Sequence, residues 1–154
     1  MADLITNIAK GRFIEWHHRV DQGDPADSRL YWIPISAGSV TDDQLRDADT
    51  FAAMVTLGVT ERTANGWNRK TLTGSDLASL SPDDTNNRMD VDAPDPVWTS
   101  VSTDAVTDLV LCYASVLTPT NAQLVPIGVW DFAVTPSGGD VTAQLNAAGY
   151  GRAS

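Results

Sequence analysis

Five aspartates fall within the sixteen residues Asp83–Trp98 (DDTNNRMDVDAPDPVW), a stretch without lysine. Carboxylates at that density could hold calcium or share acid–base work. Calcium takes six to eight oxygens converging on one point. The calcium loop of an EF-hand also needs a central glycine and a later glutamate, and this stretch has neither. Asp83, Asp84 and Asn86 could wrap an ion as a loop, but they are also ordinary turn formers, so they stand as a weak metal candidate only. From Arg88 to Asp92 apolar and charged residues alternate, placing Met89 and Val91 on one side of a strand and Asp90 and Asp92 on the other. The expectation is therefore a half-buried strand with solvated charges and no metal.

Other reactive groups are sparse. His17 and His18 are the only histidines; as neighbours they would face opposite ways in a strand, and no H-x-x-x-H or H-x-H spacing is present. Glu15 and Glu61 are the only glutamates, which leaves little for a glycosidase pair. No serine sits in a G-x-S-x-G elbow. Ser137-Gly138-Gly139-Asp140 lacks the following helix and Lys-Ser/Thr pair of a phosphate loop. Cys112 is the single cysteine; it allows neither an internal disulfide nor a cysteine zinc cage. Its apolar run Leu109–Tyr113 reads as the home of a buried, inert thiol. The expectation is a protein that is not an enzyme and needs no cofactor.

A chain of 154 residues is read as a single β-rich domain over 1–154, large enough to bury roughly 68–70% of its unfolded surface. A formal charge of -10 argues against nucleic acid or an anionic membrane as partner. Eight of the ten basic residues precede Asp83; only Arg88 and Arg152 follow it. The opening MADLITNIAKGRF lacks the basic start and long apolar core of a signal peptide, so synthesis and folding in the cytoplasm are expected. No apolar run approaches the roughly 20 residues of a membrane-spanning helix.

Short apolar stretches punctuated by Gly, Pro, Asp and Asn predict a mainly-β fold, a β-sandwich or small barrel of about seven or eight strands. RFIEWHHRV is the candidate first strand, with a helix as the other reading. LYWIPIS is a strand that Pro34 should confine to an edge or a bulge. Thr41-Asp42-Asp43-Gln44 fits a capping box, so one short helix is expected near residues 42–57, ended by Gly58 and open to a break near Asp49. WNRKTLT, NRMDVDA, VWTSVS, TDLVLCYAS, QLVPIGVWDFAVT and DVTAQLN read as further strands, with a tight hairpin at Ser137–Asp140. Trp16, Trp32, Trp67, Trp98 and Trp130 fall one to a predicted strand, as core or subunit anchors or as a sugar-stacking surface.

The stretches TNIAKGRFIEW, LTGSDLASLSPDDTNNRMDVDAPDPVWTSV, LVLCY and LVPIGVWDFAVTPSGGDVTAQLNAAGYGRAS together resemble small virion structural proteins of tailed bacteriophages. That resemblance implies an assembled role in the virion and carries over no catalytic residue. It implies most of all a capsid decoration (cement) protein on the major capsid protein lattice, a homo-oligomer with a trimer favoured. The alternative is a tail or tail-tip component with a carbohydrate or host-surface role. The absence of a coiled-coil stalk, collagen-like repeat or fibre segment favours decoration. On that reading residues 1–12 are an N-terminal arm. Lys10, Arg12 and Arg19 beside Phe13 and Trp16 form a docking surface for an acidic partner. Residues 147–154 are a tail, with Tyr150 and Arg152 as its large groups, that either is a frayed terminus or orders against a neighbour. Asp90, Asp92 and Asp95 would point outward and keep particles apart.

Overall fold

The computed structural model describes residues 2–77, 80, 82–147 and 149–153. Strand accounts for 31% and helix for 19% of the chain, so the expected mainly-β class holds. Two long strands form the spine: β2 (Arg29–Ser36) and β7 (Val106–Ala114), antiparallel in register from Arg29↔Ala114 to Ile35↔Asp108. β8 (Val125–Val134) pairs with the other side of β7, and β1 (Leu4–Ile5) closes that edge. The short β3 (Thr60–Glu61) and β4 (Lys70–Leu72) share the far side of β2. Away from this sheet lie two ribbons: β5 (Met89–Val91) with β10 (Gly151–Ala153), and β6 (Val97–Trp98) with β9 (Val141–Thr142).

Side chains alternate along β2 and β7 and feed two cores, one on each face. Leu30, Trp32, Leu109, Leu111 and Tyr113 enter the first, with Trp67 and Trp98. Tyr31, Ile33, Ile35, Val110 and Cys112 enter the second, with Leu45, Phe51 and Met54. Because both faces are covered, LYWIPI and LVLCYA are unbroken apolar runs. At Ile127 an extra residue interrupts the β7–β8 ladder, between the pairs Leu111↔Gly128 and Cys112↔Pro126. This bulge flips the phase of β8: Val125 and Ile127 face the first core before it, and Trp130, Phe132 and Val134 after it. Buried Thr6 serves the bulge, its hydroxyl donating to the Pro126 carbonyl at 2.6 Å and its amide to Ile127 at 3.0 Å.

RFIEWHHRV is not a strand. Phe13–Gln22 is helix α1, because Phe13, Trp16, His17 and Val20 recur at helical spacing, with Trp16, His17 and Val20 buried. Glu15 and Arg19 pair one turn apart at 3.0 Å, and Gly23 ends the helix in the left-handed region. The single helix expected near 42–57 is two: α2 (Asp42–Arg46), under the Thr41–Gln44 capping box, and α3 (Phe51–Leu57). The chain does break near Asp49, and Thr50 starts the second helix by accepting the Ala53 amide at 3.1 Å. Gly58 ends it as expected, at φ 119°.

Pro34 is not on an edge strand. β2 is interior, and Pro34 sits between the stretch paired with β4 and the stretch paired with β3. Its carbonyl accepts from Arg62 on that side, so its missing donor faces the gap and leaves the β7 ladder intact. Ser137–Asp140 closes no β8–β9 hairpin: β9 pairs with β6, and Gly138 and Gly139 exchange hydrogen bonds with Val101. Trp16 lies in a helix and Trp67 in a loop, so only Trp32, Trp98 and Trp130 are strand residues.

Candidate functional site

The two chain ends, read as arm and tail, are laid side by side on the fold. In the described part of the first, β1 is paired to β8, Leu4 and Ala9 are buried, and Asn7 donates to Asp47 at 2.5 Å. In the described part of the second, β10 is paired to β5 from Gly151↔Val91 to Ala153↔Met89. Between β1 and β10 runs a cleft of about 640 Å³, floored by Phe13, Ile14, Trp130 and Tyr150.

Tyr150 ties the cleft to the core. Its hydroxyl meets His17 Nε2 at 2.7 Å, and His17 Nδ1 lies 2.6 Å from the Phe13 carbonyl. A carbonyl only accepts, so Nδ1 carries the hydrogen and Nε2 accepts from Tyr150. Burial pulls the His17 pKa down to about 4, against the opposing effect of the Phe13 carbonyl. Burial, and next the charge of Asp92, push the Tyr150 phenol above its usual range, so it remains a donor. Its ring meets Trp32 edge-on at 5.4 Å and Trp130 at 6.1 Å.

Two glycines make this fit. A Cβ on Gly151 would lie 2.0 Å from the Phe13 ring, and one on Gly149 would lie 2.4 Å from the Val91 carbonyl oxygen. Gly149 also has φ 90°, which a side chain opposes. On β8, Gly128 leaves room for the Trp130 indole; a Cβ there would come within 2.7 Å of it.

Of the seven residues expected at a docking surface, Lys10, Phe13, Tyr150 and Arg152 line this one cleft. Trp16 does not: it is buried and stacks on Tyr113 at 5.7 Å with the planes 7° apart. Arg12 is exposed just before α1, and Arg19 is held by Glu15 on the exposed side of that helix. On the rim, Lys10 Nζ donates to Asn7 at 2.7 Å, and Lys10 forms no ion pair among the described residues. Trp130 is legible only as one tryptophan among five; glycine two residues before it is the signal that its ring reaches back over the strand.

The aspartate stretch forms an ion-pair chain. Arg152 donates to Asp90 at 2.6 Å, and Arg88 lies 3.0 Å from Asp90 and 3.4 Å from Asp83. Asp90 is therefore paired, not simply outward. Asp95 accepts from the Leu145 amide at 2.8 Å. Asn86 bonds both Asp83 oxygens and, as the main cause, holds that carboxyl below its usual range. Asp84 and Asn86 are exposed, and among the described residues no three His, Cys, Asp or Glu side chains are grouped to hold a metal ion.

A second cleft of about 370 Å³ shares Asp3, Trp130 and Tyr150 with the first and continues to Phe132, Gln144 and Asn146. Compared with family models, curated proteins and solved structures, the chain matches none of them.

Proposed function

We propose that this protein is a non-enzymatic virion component of a tailed bacteriophage, a capsid decoration protein that docks on the major capsid protein lattice as a homo-oligomer, with a trimer favoured. The observation that carries the reading is the convergence of Lys10, Phe13, Tyr150 and Arg152 on one apolar cleft. A chain of charge -10 that gathers lysine and arginine beside half-buried rings has a local surface suited to an acidic, partly apolar partner. Much of the remaining surface is acidic, which favours solubility and repulsion between particles. The sequence resemblance to small phage virion proteins supplies the identity of the shell.

Deleting residues 1–12 would remove β1 from the sheet, so charge reversal is the cleaner perturbation. Lys10→Glu with Arg12→Glu should abolish binding to purified heads that lack this protein while the melting temperature holds. Undiminished binding refutes the cleft as the docking surface, and wild-type protein that ignores such heads refutes the virion reading.

The second cleft favours one other reading, a tail or tail-tip component that binds host glycans. Trp130, Tyr150 and Phe132 offer ring surface there, and Gln144 and Asn146 offer amides for sugar hydroxyls. Retention of host cell-wall polysaccharide by the wild type, lost in Trp130→Ala, would select it.

A further inference from the structure

We infer that the cleft between β1 and β10 takes an extended acidic peptide segment as an added strand on the free edge of β1. The inference rests on the virion reading for the identity of the partner and on geometry for the mode of binding.

β1 is an edge strand with β8 on one side only. Thr6 donates its amide to Ile127, its partner across the ladder. Leu4 lies two residues back, opposite Val129, so its backbone groups also face β8. Ile5 lies between them, so its N–H and C=O point the other way, along the open edge. No hydrogen bond occupies them on that side among the described residues. Natural edges are covered, twisted away or charged, because unpaired ladder groups recruit another strand. Here the edge opens onto the 640 Å³ cleft, and Gly151–Ala153 of β10 form the opposite wall.

The floor specifies alternate apolar side chains. A strand lying on β1 would turn every second side chain towards Phe13, Ile14 and Trp130, because successive residues of a strand point to opposite faces. The rim specifies charge. Arg152 already holds Asp90, whereas Lys10 has an amide oxygen and no carboxylate. Asp3, the acidic group of the lining, accepts the Asp131 amide at 2.9 Å. An incoming carboxylate thus completes an ion pair with Lys10, whereas an incoming lysine or arginine would face its like charge.

The test uses the full-length protein. Ile5→Pro deletes one outward donor and leaves the Leu4 and Thr6 bonds to β8 in place, a position where an edge strand accepts proline. Lys10→Glu reverses the rim charge. Each is measured for melting temperature, for binding to heads lacking this protein, and against dodecapeptides selected from a random library on the wild type. Lys10→Glu should melt as wild type, Ile5→Pro should fold with a lowered melting temperature because Ile5 packs against the first core, and both should bind heads about tenfold more weakly. Selected peptides should alternate apolar residues, carry Asp or Glu, slow amide exchange at Ile5, and lose affinity in Ile5→Pro. Unchanged head binding by both variants removes the added strand and leaves the virion reading standing. Peptides that protect Ile5 while wild-type protein ignores heads remove the virion reading and leave the strand site. Selected peptides that are basic, or that leave Ile5 exchanging freely, overturn the inference. So does a cleft that takes oligosaccharides and enriches no peptide.

Discussion

Acid should destabilise this protein through His17. The unfolded chain takes up a proton near the ordinary histidine pKa of 6.5, whereas in the fold burial lowers that value to about 4. A group with a depressed folded pKa contributes stability that is complete above the unfolded value and is lost as pH falls through the folded one. The window is therefore pH 6.5 to about 4. At about 1.4 kcal/mol per pKa unit, the shift amounts to about 3 kcal/mol, a large share of a typical domain's stability. Asp108 acts in the opposite sense over part of this range. Burial raises its carboxyl, and its buried Oδ1 has no hydrogen-bond partner among the described residues. The wild-type slope alone would thus understate the histidine, and a variant is needed. His17→Gln keeps the helix and removes the titration. Urea unfolding followed by tryptophan fluorescence at pH 7, 6, 5 and 4 gives stability at each point. Between pH 7 and 4 the wild type should lose about 3 kcal/mol more than the variant. Parallel pH profiles for the two proteins would refute the assignment of His17 as a neutral, buried acceptor for Tyr150.

Other outcomes follow from the packing. Gly128→Ala places a methyl 2.7 Å from the Trp130 ring and 2.8 Å from the Leu4 carbonyl oxygen; it should cost about 1–3 kcal/mol in urea unfolding and shift Trp130 fluorescence. Arg69 forms a two-point pair with Glu61 at 2.6 and 2.7 Å, donates to Asn121 at 2.7 Å and lies over the Phe51 ring. Arg69→Ala should lower stability by about 1–3 kcal/mol in the same assay, and Arg69→Lys should recover only part of that loss because a single ammonium cannot reproduce the fork. Cys112 is fully buried, and burial raises its thiol pKa; a thiol reagent should leave it unmodified in the native protein and label it fully in urea.

The sequence revealed elements wherever one residue type dictates local geometry. The Thr41–Gln44 capping box and the terminating Gly58 were legible because backbone chemistry sets them, and the unbroken runs of β2 and β7 because burial on both faces demands apolar residues at successive positions. The α1 stretch admits a strand or a helix from its sequence, because nothing local shows that His17 is buried. Buried between the Phe13 carbonyl and Tyr150, it belongs to the apolar face, and with it the helical period is complete. Pro34 misled for a different reason. A proline in an interior strand is tolerated where two short partners leave a gap opposite it, and strand order cannot be read from one strand's own residues. For the docking residues, the charge and ring content of both chain ends was visible in the sequence. Their meeting in one cleft depends on long-range pairing of β1 with β8 and β10 with β5, which the sequence does not encode locally. Trp16 was lost from the set for the same reason: only the fold shows that its side of α1 faces Tyr113.

Intact particles imaged by cryo-electron microscopy, with and without this protein, bear most directly on the central proposal. Loss of discrete surface knobs from the head is the predicted result, with the knob density in the complete particle placing the β1–β10 cleft against the shell. Heads identical in both preparations, or a defect confined to the tail tip, would contradict it.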